Sequence, residues 1–129
     1  MSNAIKGKTI LVVDDDSDLR QAFADIFTMK GSNVLVAAGG NEAIKIVKAN
    51  KIDLVLSDVR MPEGSGVELL DEIKKHHASI PVVLLITGFA DLTADEAKKK
   101  GAFALLEKPI NQERLLELIN SALKSMPPA

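Results

Sequence analysis

Three aspartates, a threonine and a lysine follow the apolar runs of this chain. Asp14 and Asp15 come directly after an apolar run that ends at Val13, Asp58 after one that ends at Ser57, Thr87 after residues 81–86, and Lys108, with Pro109 behind it, just past residues 103–106. If the first and third runs are neighbouring strands, about 4.8 Å apart, Asp14, Asp15 and Asp58 converge on one small pocket. A fifth strand two places from the third lies roughly 10 Å away, a gap that a lysine stem largely closes. Two like charges about 4 Å apart repel by about 4 kcal/mol at an effective dielectric of about 20, equivalent to roughly 3 pKa units. Such a cluster requires cations. Lys108 supplies one and a divalent metal the other; with oxygen ligands alone and no Cys or His nearby in sequence, the metal expected is Mg2+.

The elements that must position these groups read as an alternation of short apolar runs and amphipathic stretches, the pattern of successive βαβ units. Strands are expected at residues 9–13, 33–37, 53–57, 81–86 and 103–106, and their continuous Val, Ile and Leu character suits a parallel sheet buried on both faces. Period-2 alternation puts Phe103 and Leu105 on one face of the last strand and Ala104 and Leu106 on the other. A first helix over residues 17–30 turns Leu19, Phe23, Ile26 and Phe27 inward, has Asp16 and Ser17 as caps and stops at Gly31. A second follows Asn41 as N-cap, a third spans residues 67–77, and a fifth follows Asn111 with Leu115, Ile119, Ala122 and Met126 inward. The fourth is short, opened by a Thr93/Glu96 capping box and closed by Lys98, Lys99, Lys100 and Gly101. Five such units joined by right-handed crossovers give a doubly wound (βα)5, flavodoxin-like three-layer α/β sandwich with strand order 2-1-3-4-5. Ligands of such folds bind beyond the C-terminal ends of strands 1 and 3, where the aspartates stand.

With 129 residues, 47% hydrophobic and 26% charged, the chain has the size and balance of one globular domain, expected to span residues 8–126. Residues 1–7 read as a tag or disordered lead, and 127–129, Pro-Pro-Ala, as a tail or the start of a linker. A net charge of −2 leaves no excess of cations for phosphate backbones, so direct nucleic-acid contact by this domain is not expected. The absence of cysteine excludes disulfides and thiolate metal sites and suits a cytoplasmic setting, and no run reaches the length of a membrane span or an export signal.

The motifs Asp14-Asp15, Asp58 within LSDVRMPEGSG, Thr87-Gly88 after VVLLI, and Lys108-Pro109, in this order at successive strand ends, resemble the receiver domain of two-component response regulators over residues 8–126. The resemblance implies that Asp58 accepts a phosphoryl group from a sensor histidine kinase or phosphotransfer protein and that the domain then switches an output domain or downstream protein. It implies Mg2+ held by Asp15, Asp58 and the backbone carbonyl of Arg60, with Asp14 reaching it through water. Thr87 would hydrogen-bond the phosphoryl oxygens and Lys108 pair with them. A domain of this kind catalyses its own phosphorylation and dephosphorylation only. Two features depart from the family pattern: Leu105 stands where an aromatic often precedes the lysine, and the stretch from Thr87 to Lys108 is about one residue short, pointing to a truncated fourth helix. Arg60 in DVRMP, with LEKP at the lysine, resembles receivers of ATP-dependent transcriptional activators or multi-step kinase relays. Phe89, two residues past Thr87, is placed to shield an aspartyl phosphate from water.

Other readings compete. Asp14 and Asp16 form a DxD that a magnesium-dependent phosphatase with an aspartate nucleophile would use, although Asp18 stands where that family has Thr or Val. A receiver-like module that only binds protein would not need all five site residues. Taken singly, Asp14–Asp16 is a solvated turn, Asp58 a turn former, Thr87 a strand-end hydroxyl and Lys108 a surface charge. His76 and His77, and the lysines before Gly101, read as solvated helix ends, and Lys108-Pro109 as a candidate cis peptide.

Overall fold

A computed structural model describes residues 4–76, 81–88 and 92–124. Five strands, β1 (Thr9–Val13), β2 (Asn33–Ala37), β3 (Leu54–Asp58), β4 (Val82–Thr87) and β5 (Ala104–Glu107), form one parallel sheet in the order β2-β1-β3-β4-β5. The helices α1 (Ser17–Met29), α2 (Gly40–Ala49), α3 (Gly66–His76), α4 (Ala94–Lys99) and α5 (Gln112–Lys124) alternate with them. This is the expected flavodoxin-like arrangement. The last three strands begin one residue later than their apolar runs, so Asp58 and Thr87 are the final strand residues of β3 and β4.

Side-chain alternation divides the interior into two layers. Val55, Val83 and Leu85 pack with Leu69, Leu70 and Ile73 of α3, whereas Leu54, Leu56, Leu84 and Ile86 pack with Phe23 and Phe27 of α1 and Leu115 and Ile119 of α5. The central strands are buried on both faces, while β2 and β5, at the sheet edges, are partly open. Phe103 is a correction: it lies with Ala104 and Leu106 on the α1/α5 side and only Leu105 faces the other layer, because β5 begins at Ala104 and strand alternation does not extend back to Phe103.

The caps follow local chemistry where a side chain supplies it. Asp16 caps α1 by accepting from Asp18 and Leu19, Thr93 and Glu96 form the capping box of α4, and Asn111 accepts the Arg114 N–H at the start of α5. Helix α2 differs: its N-cap is Gly39 rather than Asn41, with no side-chain cap, because backbone carbonyls from another loop take its first N–H groups. Residues 4–7, set apart above as lead, form a turn in which Ile5 is 1% exposed, and the Ala4 N–H donates to Asn120 Oδ1 of α5 at 3.1 Å. His76, at the exposed end of α3, lies 3.4 Å from Glu72 one helical turn back. Met126, His77, Phe89 and residues 127–129 lie outside the described residues.

Candidate functional site

The site lies at the C-terminal ends of β1, β3, β4 and β5. The Asp14 N–H donates to the Ala37 carbonyl at 3.1 Å, one step beyond the β1–β2 ladder. Its own carbonyl accepts from Arg20 Nη1 at 2.7 Å, and its Oδ1 accepts the Asp16 N–H at 2.9 Å. Asp14 is thereby fixed in the interior, 1% exposed, while Asp15 next to it is exposed. Asp58 is 7% exposed, and Lys108, just past β5, reaches it with Nζ 3.1 Å from Oδ2. The Lys108 N–H is anchored to the Thr87 carbonyl at 2.8 Å, the Lys108-Pro109 peptide is cis, and Thr87 is 2% exposed at the end of the intervening strand. Arg60, Met61 and Val67 line a cleft with Asp15 and Asp58.

One oxygen from each of Asp14, Asp15 and Asp58 lies within 4.8 Å of the others. Burial raises the Asp14 pKa above the usual carboxylate range and repulsion by Asp58 and Asp15 adds to it, against the opposing Asp16 amide and Lys108. For Lys108, burial is the largest single influence and works to lower the pKa, but the Asp58 hydrogen bond and the charges of Asp58, Asp14 and Asp15 outweigh it, so its proton is held more tightly than usual. Asp14 Oδ2 is buried with no hydrogen-bond partner. An unsatisfied buried acceptor costs about 1–3 kcal/mol, more when charged. Oxygen donors alone, negative charge in excess of the one lysine, and an unbonded carboxylate oxygen are what a hard divalent cation such as Mg2+ fits.

The structure brings Asp14, Asp15, Asp58 and Lys108 together as the strand-end argument requires, with Thr87 and Arg60 beside them. It does not bring Asp16: that carboxylate is spent on the α1 cap, so no DxD pair of Asp14 with Asp16 forms. Three residues escaped the sequence reading. Arg20 holds the Asp14 carbonyl, Ser57, fully buried, donates from Oγ to the Asp58 carbonyl at 2.9 Å, and Gly66 packs so closely that a Cβ there would overlap that same carbonyl. Only Gly66 left a trace, as the last residue of the LSDVRMPEGSG motif.

The family model of the response regulator receiver domain matches residues 10–120. The chain belongs to the response regulator receiver domain family. Among curated relatives of this receiver domain, the transcriptional regulatory protein ZraR of Salmonella typhimurium is 42% identical over 121 residues, 92% of this chain, and GlrR of Escherichia coli 35% identical over 120 residues, 93% of it. The chain spans 27% of the length of each. The crystal structure of a receiver domain protein from Clostridium thermocellum superposes with a TM-score of 0.84 at 38% identity, covering 91% of this chain and 94% of that one. A CheY-like receiver domain protein from Methanospirillum hungatei gives 0.86 at 31% identity, covering 92% and 95%. Receiver domains are phosphoacceptors that bind Mg2+ at an aspartate cluster, and the cluster of this one is Asp14, Asp15 and Asp58. They work between a histidine kinase and an output function. Among the described residues no helix is long and apolar enough to cross a membrane.

Proposed function

We propose that Asp58 is the phosphoacceptor and that its phosphorylation by a histidine kinase or phosphotransfer protein switches an output domain or downstream protein. The observation that carries this reading is the convergence of three carboxylates within 4.8 Å around a residue whose Oδ2 is held by Lys108 at 3.1 Å. A carboxylate oxygen of Asp58 attacks the phosphorus of a phosphohistidine; the new O–P bond forms as the P–N bond breaks, and the imidazole leaves with that electron pair. Asp15, Asp58 and the Arg60 carbonyl would hold Mg2+, with Asp14 reaching it through water. When bound, the ion neutralises the cluster and the developing charge on the phosphoryl oxygens. Lys108 pairs with those oxygens and Thr87 donates a hydrogen bond to them. The same geometry serves hydrolysis of the aspartyl phosphate, so the domain acts on its own phosphoryl group and turns over no separate substrate. Its domain is read as residues 8–126 extended N-terminally to Ala4, since Ile5 belongs to the core. The negative net charge supports a reading without direct nucleic-acid contact.

The test is incubation with acetyl phosphate and Mg2+, followed by intact-mass measurement and peptide mapping. The expected result is one phosphoryl group on Asp58, none in Asp58→Asn, and none in excess EDTA. Full incorporation in Asp58→Asn, or labelling that ignores EDTA, overturns the reading.

A further inference from the structure

Helix α2 starts without a side-chain cap, although its first N–H groups have no carbonyl of their own helix to bind. Two of them are satisfied from elsewhere: the Gly40 N–H donates to the Gly64 carbonyl at 2.9 Å, and the Asn41 N–H to the Glu63 carbonyl at 3.0 Å. Both acceptors belong to the loop that leaves β3 after Asp58, carries Arg60 and enters α3. The base of this loop is closed by the Gly66 N–H on the Val59 carbonyl at 2.9 Å, so the segment containing Arg60 is fastened at base and tip.

Three glycines make this approach feasible. A Cβ on Gly39 would stand 2.7 Å from the Glu63 carbonyl oxygen, and one on Gly40 2.8 Å from that of Gly64. A Cβ on Gly64, whose φ is +96°, would stand 2.7 Å from Asn41 Oδ1 and be strained besides. Against Gly39 and Gly40 the nearest opposing atoms are backbone carbonyl oxygens, which cannot swing aside as the end of a side chain would. The loop carbonyls also sit at the positive end of the helix dipole, where their negative ends are favoured. A Ser or Asp cap would have served α2 equally well, but its side chain would occupy the space that the loop now fills.

We propose that the start of α2 is a positioning clasp for the cation-binding loop, in which Gly39, Gly40 and Gly64 let α2 hold the Arg60 backbone in place beside Asp15 and Asp58. This rests on the Mg2+ site proposed above. A donor held in place before the ion arrives loses less freedom on binding, so the clasp acts on affinity for the cation, whereas a plain helix cap acts on stability alone.

The test is titration of the 15N-labelled protein with MgCl2, followed by NMR, in wild type, Gly39→Ala and Gly64→Ala, with Thr93→Ala as a cap-loss control. In wild type the Gly40 and Asn41 amides are expected to shift with the same midpoint as those of Asp58 and Arg60. The two glycine variants, still folded by their remaining spectrum, should raise the Mg2+ dissociation constant about tenfold, the scale for removing a group that orients a metal ligand. Thr93→Ala should leave it unchanged. Shifts at Asp58 without any at Gly40 and Asn41, or unchanged Mg2+ binding in either folded glycine variant, overturn the clasp while leaving the Mg2+ site intact. If the glycine variants fail to fold, the wild-type titration decides. Absence of Mg2+ shifts at Asp58 in wild type overturns the site and the clasp together.

Discussion

A carboxylate that is 1% exposed, with one oxygen bonded to the Asp16 amide and the other to nothing, is unfavourable for the folded chain by itself. On the proposed Mg2+ site the charge of Asp14 serves the cation and not the fold, and the two requirements separate on substitution. Asp14→Asn keeps the shape, removes the repulsion with Asp58 and Asp15, and leaves Oδ1 in place for the Asp16 N–H. In EDTA the variant is expected to melt several degrees higher than wild type. The increase in melting temperature that excess Mg2+ gives wild type, which mass action predicts to grow with the ion's concentration over its Kd, should largely vanish in the variant. Thermal scans of both proteins in EDTA and in Mg2+ check this, and an Asp14→Asn protein less stable than wild type in EDTA would contradict it.

At the scale of elements, Asp16 and Lys74 show how a helix is tied to what lies around it. Asp16 accepts two N–H groups at the start of α1. Asp16→Ala should cost about 1 kcal/mol in urea unfolding, by the same amount with and without Mg2+, since its side chain is outside the carboxylate cluster. Equal stability of the two proteins would sink that account of the cap. Lys74 of α3 donates from Nζ to the Pro81 carbonyl at 3.2 Å and lays its stem against Gly101, joining α3 to the segments that enter β4 and β5. Burial lowers its pKa from 10.5, so the folded chain releases this proton at lower pH than the unfolded one. The penalty is therefore full below the lowered value and relieved as the pH rises through 10.5. Lys74→Met lacks this relief, and its stability relative to wild type should fall between pH 7 and pH 10.5. A stability difference that stays constant across that range would show that Lys74 titrates alike in both states.

Across the whole molecule, the two apolar layers meet the site through β4 and β5. Thr87 is buried at the end of β4 and bound through its carbonyl to Lys108, while Leu105 packs into the layer that also holds Leu92, Ala97 and Ala102. On the proposed phosphorylation, movement of Thr87 and Lys108 toward the phosphoryl group would change the space beside β5, and a close-packed interior does not leave such space empty. With Leu105 in place of an aromatic, and with α4 only six residues long, the response is expected in the backbone of this region. Hydrogen exchange with beryllofluoride, a phosphoryl mimic, should change protection at Gly88 and at residues 92–106 more than in β1 or α1. Unchanged protection there while the mimic is bound at Asp58 would mean that the signal leaves by another surface.

The sequence alone determined the strand set, the sheet order, the short α4 and the strand-end positions of Asp14, Asp15, Asp58, Thr87 and Lys108. It also determined the caps at Asp16 and Thr93. Apart from the sheet order, which follows from right-handed crossovers between successive βα units, each of these is written in a few neighbouring residues: an apolar run, the turn chemistry after it, or an acceptor one turn from the N–H it binds. Tertiary structure alone decided that Ile5 enters the core, that Phe103 lies opposite Leu105, and that α2 begins at Gly40 on carbonyls of Glu63 and Gly64. It also decided that Asp14 Oδ2 is buried without a partner and that Arg20 secures the Asp14 carbonyl. These depend on which backbone groups of separate segments remain unsatisfied once the layers have packed. No local pattern encodes that, because a donor and an acceptor far apart in the chain are matched only when the fold has set them side by side.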